Sequence, residues 1–371
     1  MNPLNRFRCA ALATALVLVG CAGGGTYKPV ASAEFVRGAK GGLEGFIQSL
    51  PNSGPGARLQ EATLFSDGFY HESWRLTYSF DGKRITIALK IFPNEENAQR
   101  SLKNYAAARA AGWPLPKEIY RGTVAPYQAK PGLVMEYIKV PTLAAYARDR
   151  ADEKTTDLEG VRVRYEGLGA TLGKAHLAGL RTVRGDKKAL EDIDDLLERC
   201  EFDFWCGPKS MQRFEELKSK ILKGPITFIH GDLFEAHVSV RDDGFVKAFL
   251  GMHHGSEGDP ARDVGTLLAH TLIINPIARE LIYGVPNSTP EEAKLAAESF
   301  LRGYRVGFDH KVQLEWDYFM SRAVGYAWLR VGELLMNLEG NPHTEALVRL
   351  VNQKKAALFV LDPLEKYGVK H

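Results

Sequence analysis

The feature that most constrains this chain is a change of periodicity near residue 140. Before it, large apolar residues recur at every second position. Trp74, Leu76, Tyr78 and Phe80 form one such run, and Ile85, Ile87, Leu89 and Ile91 form another after the turn Asp81-Gly82-Lys83. Alternation of that kind marks half-buried strands, and two runs about a short Asp-Gly turn make a hairpin. An Ala-rich helix over 95–111, closed by Gly112 and stopped by Pro114, and two more strands over 119–124 and 133–138 belong to the same stretch. Beyond Pro141 the spacing becomes helical over 143–151, 158–180, 188–199 and 211–222. It is helical again over 263–273, 290–308, about 312–338 and 343–361. Only a short strand pair, 238–240 with 245–250 about Asp242-Asp243-Gly244, interrupts it. The expectation is an α+β fold of two lobes: a small antiparallel-sheet N-lobe over 41–140 and a larger, mainly helical C-lobe over 141–371. The roughly 330 residues of the folded part exceed what one core usually holds.

The N-terminus reads as an export signal. Arg6 and Arg8 precede a short apolar stretch, and Leu18-Val19-Gly20-Cys21 has the form of a lipobox. The apolar stretch is too short to span a bilayer, so residues 1–21 are expected to be a lipoprotein signal peptide with lipid carried on Cys21. Several acyl chains, at about 0.8 kcal/mol per buried methylene, would hold the protein on a membrane. The expected location is the periplasmic face of a bacterial membrane, the outer membrane in preference to the inner. Residues 22–40, rich in glycine and small side chains, read as a flexible tether.

Export leaves Cys200 and Cys206 as the cysteines of the mature body. In an oxidising compartment they form either a disulfide or a pair of free buried thiols. Loss of Arg6 and Arg8 lowers the formal net charge from +3 to about +1, and no basic stripe is evident, which argues against nucleic acid as a partner.

The residues with chemical content fall in a fixed order. Asp67-Gly68-Phe69-Tyr70-His71-Glu72 offers a glycine-containing turn. Ala88 and Lys90 share one face of their strand. Leu133-Val134-Met135-Glu136-Tyr137-Ile138 follows, then a helix ending in His176, then Phe228-Ile229-His230-Gly231-Asp232, and finally Asp259-Pro260 with Asp263. Together these resemble the aminoglycoside phosphotransferase and choline kinase group of protein-kinase-like proteins, over about residues 60–335. The resemblance implies a nucleotide site using Gly68, Ala88, Lys90, Met135 and Tyr137. It implies Asp232 as the catalytic base, braced by His230 and Asp263, and ATP with magnesium as cofactors if the protein is active.

The same resemblance exposes departures. Five residues past Asp232, where the group has a metal-binding Asn, stands His237; seven before Gly258, where the principal metal-binding Asp belongs, stands Gly251. The helix after Lys90 carries Arg100, Ser101 and Lys103 where a partner acid is expected, with acids only at Glu95 and Glu96. Magnesium takes oxygen donors, whereas a histidine nitrogen suits transition metals. ATP is also scarce outside the cytoplasm. The expectation is therefore a pseudokinase or binding module of the cell envelope, with a small molecule or an envelope protein as partner. An active phosphotransferase acting on a small-molecule hydroxyl is the alternative. No metal is expected by the family pattern. His237, His253 and His254, near Asp232 and Glu235, are candidates for a transition metal, against the simpler reading of solvent-facing loop residues. Tyr304, Trp316, Asp317, Tyr318 and Trp328 are expected either to line a substrate pocket or to serve as helix packing.

Overall fold

The structure, a computed structural model, describes residues 42–68, 71–125, 129–152, 156–181, 186–200, 208–277, 289–308, 315–336, 349–351 and 353. The expectations for Cys21, the tether, the Cys200–Cys206 pair and most of the helix at 343–361 lie outside what is described. The fold is α+β, in two compact units. One holds the described residues up to Tyr105 together with Leu115–Lys139; the other holds Ala106–Pro114 and the chain from Val140 onward.

The first unit is built on a five-stranded antiparallel sheet in the order β1-β2-β3-β5-β4. Its strands are β1 (Arg58–Gly68), β2 (His71–Phe80), β3 (Lys83–Ile91), β4 (Glu118–Val124) and β5 (Lys130–Glu136). In the central hairpin Trp74 faces Leu89, and Leu76 faces Ile87. These four are almost fully buried, and side chains of this size each contribute about 1.5–3 kcal/mol on burial. Helix α1 (42–48) adds Leu43, Phe46 and Ile47 to that core. Helix α2 (Glu95–Ala110) follows the hairpin, with Glu95 and Glu96 in its first turn and Arg109 in its last, as the helix dipole favours.

The second unit contains α3 (Leu143–Asp152), α4 (Leu158–Ala178), α5 (Lys187–Cys200), α6 (Pro208–Ile221), α7 (Pro260–Ala269), α8 (Pro290–Gly307) and α9 (Trp316–Met336). Two short ladders pair β6 (Thr227–Ile229) with β9 (Ser256–Gly258), and β7 (Val238–Val240) with β8 (Val246–Phe249). Helix α8 opens with a capping box: the Thr289 hydroxyl accepts from the Glu292 amide, and Glu292 accepts from the Thr289 amide.

Helices α4 and α8 run in the same direction and meet backbone to backbone. A Cβ placed on Gly169 or Gly303 would lie 2.0 Å from the carbonyl oxygen of Phe300 or Glu166 respectively. Gly307, one turn along, meets Ala170 at 2.1 Å in the same way. Only hydrogen in place of a side chain permits this approach. Among the described residues no helix is long and apolar enough to cross a membrane.

Candidate functional site

The buried strand β6 delivers the chain to His230-Gly231-Asp232. Asp263, in the first turn of α7, holds this loop with both carboxylate oxygens. Oδ2 accepts from the His230 amide at 2.7 Å and Oδ1 from the Gly231 amide at 2.9 Å. His176 lies 3.1 Å from the same Oδ2 through Nε2, while its Nδ1 is 2.9 Å from the Tyr304 hydroxyl. Burial would raise the Asp263 carboxyl, but His176, His230 and the amide bond outweigh it and the net shift is downward. The His230 ring is fixed at both nitrogens. A carbonyl can only accept, so Nε2 donates to Leu250 O at 2.6 Å, and Nδ1 accepts from the Asp232 amide at 3.3 Å.

Asp232 itself is 3% exposed and tied to a residue 98 positions away. The Arg330 guanidinium, from the middle of α9, donates to Oδ1 at 2.7 Å. Arg330 also donates from Nε to His270 Nε2 at 3.2 Å and from Nη1 to Glu333 at 3.2 Å. Burial would push the Asp232 carboxyl up. Arg330, followed by His237, His254 and His230, outweighs burial and holds it at about 2. The other carboxylate oxygen, Oδ2, is buried with no hydrogen-bond partner. Sequence reasoning missed Arg330. Its signal was an arginine set among apolar neighbours in a helix that is mostly core.

Gly251 and His237, the residues expected to depart from the family's metal positions, meet in space. Gly251 has φ +73° and ψ 32°, a left-handed conformation that a side chain rarely adopts. A Cβ there would also come within 2.7 Å of His237 Nε2. The His237 ring is not free to give way: Nδ1 donates to Asp232 O at 2.7 Å, and the ring stacks on His230 at 5.1 Å. The histidine thus fills the space a side chain at 251 would need. Neither position offers an oxygen donor, and Asp232 Oδ1 is already bonded to a cation. The residues present do not fit a magnesium ion.

The residues expected to hold a nucleotide belong to the sheet unit. Gly68 ends β1 opposite His71. Ala88 pairs with Met135 across β3 and β5, Lys90 pairs with Leu133, and Tyr137 follows β5 directly. Lys90 is only 8% exposed, and among the described residues it makes no ion pair. Its ammonium lies 5.6 Å from the centre of the Tyr105 ring, one turn beyond Ser101. Glu96 instead pairs with Arg100 at the surface.

Two of the three histidine candidates gather with Asp232 rather than facing solvent. His253 is 9% exposed, and its ring is 4.3 Å from that of His254. One donor atom each from Asp232, His253 and His254 lies within 4.8 Å of the others. Burial lowers His254 to about 4, against the upward pull of Asp232. Of the aromatic candidates in the last helices, Tyr304, Trp316 and Trp328 are buried, and Tyr304 stacks on Phe319 at 5.4 Å. They serve as packing.

Glu235 has a different setting. It is 1% exposed, and Oε1 accepts from Thr271 at 2.6 Å and from Tyr165 at 3.3 Å, beside a cavity also lined by Tyr146, Arg150 and Glu292. Burial raises its carboxyl above the ordinary 4.5, although Thr271 and Tyr165 oppose the shift. The folded state therefore binds this proton more tightly than the unfolded state. The stability linked to it is complete below 4.5 and is lost as the pH rises through the folded value. Glu235→Gln is expected to match the wild type in melting temperature at low pH and to exceed it at pH 8. Melting curves from pH 4 to 9 check this, and a variant less stable than wild type at pH 8 contradicts it.

An antiparallel sheet unit, a largely helical unit and an aspartate-bearing loop anchored by a second aspartate define a kinase-like phosphotransferase fold. The chain belongs to the phosphotransferase enzyme family, whose model matches residues 61–285. Among solved structures it is similar to a type I macrolide 2'-phosphotransferase, with 14% identity and a TM-score of 0.51, covering 88% of this chain and 99% of that one. It is also similar to a glucosamine kinase (15% identity, TM-score 0.48, 86% and 97% covered). A spectinomycin phosphotransferase solved with ADP and spectinomycin is a further likeness (13%, 0.48, 91% and 100%). At 14% identity the likeness to the macrolide 2'-phosphotransferase is one of fold. No curated protein sequence matches the chain.

Proposed function

We propose that this protein is a lipid-anchored pseudokinase of the cell envelope, a binding module on a phosphotransferase fold that no longer transfers phosphate. The observation that carries this reading is the buried Asp232–Arg330 ion pair. A general base must reach the hydroxyl it deprotonates and must find proton transfer favourable. Here one carboxylate oxygen is bound to a guanidinium, and the carboxyl is a weaker base than an ordinary aspartate. The interlocked Gly251 and His237 support the same reading, because charge on a transferring phosphoryl group is normally neutralised by metal ions. Lys90, set over Tyr105 without an ion-pair partner among the described residues, points the same way.

Export and anchoring at Cys21 are supported by the order of charge, apolar stretch, small residue and cysteine at the N-terminus. The ligand is a small molecule or an envelope protein, and nucleic acid is disfavoured by the near-neutral charge of the mature chain.

The test is thermal denaturation of the mature chain with ATP or GTP, each in magnesium, manganese or EDTA, beside an assay of nucleotide turnover. No magnesium-dependent stabilisation and no turnover are expected. Stabilisation that persists in EDTA would make the protein a nucleotide sensor within this reading. Magnesium-dependent transfer to a small-molecule hydroxyl would overturn it and restore Asp232 as a base with ATP and magnesium as cofactors.

A further inference from the structure

We propose that Asp232, His253 and His254 form a binding site for a divalent transition metal, zinc in the first instance, in place of the magnesium site the fold would otherwise carry. Two imidazoles and one carboxylate are a common donor set for zinc, with a fourth position left for water or a ligand atom.

Three observations carry the inference. One donor atom from each residue lies within 4.8 Å of the other two. Donors around one tetrahedral zinc sit roughly 3.4 Å apart at bond lengths near 2.1 Å, so side-chain rotation need close the triad by at most about 1.4 Å. Second, Asp232 Oδ2 is buried and accepts no hydrogen bond, whereas most buried polar atoms are paired. Third, the carboxylate is oriented from behind. Arg330 holds Oδ1 and His237 donates to the backbone oxygen of the same residue, the kind of outer contact that presents a ligand atom in a fixed direction.

Arg330 would repel a dication, but Glu333 on its far side offsets that charge, leaving the Asp232–Arg330–Glu333 group with net negative charge. His254, only partly buried, gives an ion a way in. Both histidines lie in one backbone turn: a 3-10 turn over Met252–His254 begins at left-handed Gly251 and closes with the Gly255 amide donating to Met252 O. The inference does not depend on the loss of phosphoryl transfer, since zinc affinity and nucleotide turnover are read separately.

The experiment uses the full chain, stripped with EDTA, dialysed and titrated with zinc. Stoichiometry by elemental analysis and melting temperature are the readouts, with cobalt substitution to report coordination geometry by visible absorption. Expected are about one zinc per chain, a rise of about 5 °C at a hundredfold excess over Kd, and cobalt bands of low-symmetry, four- or five-coordinate form. His254→Ala and His253→Gln should each weaken binding at least ~10-fold, while Cys200→Ser/Cys206→Ser should leave it unchanged. His254→Ala, at the partly exposed position, guards against misfolding as the cause. Absence of zinc uptake overturns the proposal. So does uptake that survives both histidine substitutions, or uptake lost only with the cysteines.

Discussion

Replacement of Arg330 by alanine is expected to lower the stability of the protein by about 3–5 kcal/mol, the cost of leaving one member of a buried ion pair uncompensated. The side chains of Arg330 and Asp232 are 12% and 4% exposed, so water cannot readily replace the lost guanidinium. His270 would lose its donor as well. Adding Asp232→Asn to Arg330→Ala removes the stranded charge and should restore most of the loss. Two single variants, the double variant and urea unfolding make the thermodynamic cycle. A single Arg330→Ala variant as stable as wild type would show that Asp232 is not held by this pair. An Arg330→Ala variant that gained magnesium-dependent turnover would show that Arg330 alone had been blocking the base.

The second large effect is expected at the seam between α4 and α8. Gly303→Ala places a methyl group 2.0 Å from Glu166 O, 2.8 Å from its carbonyl carbon and 3.0 Å from the Ala170 amide nitrogen. All three contacts are backbone, and backbone in the middle of a helix cannot swing aside as a side chain can. The two helices must separate, opening the buried surface around Phe300 and Tyr304. The expected cost is ~3 kcal/mol, at the upper end of what overpacking usually incurs. Gly45→Ala in α1 is the control. That position is exposed, with nothing within 4 Å of the added carbon, and helix propensity favours alanine there by up to about 1 kcal/mol. Denaturant midpoints of the two variants should move in opposite directions. Equal midpoints would mean that the helices pack less closely than described.

What the sequence revealed is what local periodicity can carry. The β2–β3 hairpin was legible because Trp74, Leu76, Ile87 and Leu89 alternate without interruption and their turn carries a glycine. Strand β1 was not. Its register shifts between Leu59 and Glu61 and again between Leu64 and Ser66, and each irregularity breaks the period of two that marks a strand. Helix α1 is also hard to read, although Leu43, Phe46 and Ile47 have helical spacing, because it is short and follows the glycine-rich tether. Helix α7 starts three residues earlier than its apolar spacing predicts. Its start lies at Pro260 behind the capping Asp259, whose side chain accepts from the Ala261 amide, a combination that marks a helix N-terminus. It then runs into a π-helical turn over His270–Ile274, for which the sequence offers no signal.

At the site, motif spacing alone singles out His237 and Gly251. It does not show that the two residues compete for one space, since the backbone twist at Gly251 and the direction of the His237 ring arise only in the folded chain. Arg330 was harder still. Nothing within its own helix names Asp232 as its partner, and only tertiary packing brings the two together.

The clasp that Asp263 makes on the amides of His230 and Gly231 has a bearing on ancestry. Three letters usually taken as the badge of a working kinase are here held in place by architecture: one carboxylate organises the turn whether or not any phosphate is ever moved. Altering the neighbours of Asp232 would therefore be penalised through misfolding, with or without catalysis. The triplet is thus retained for folding as well as for any chemistry, and its presence alone does not report turnover.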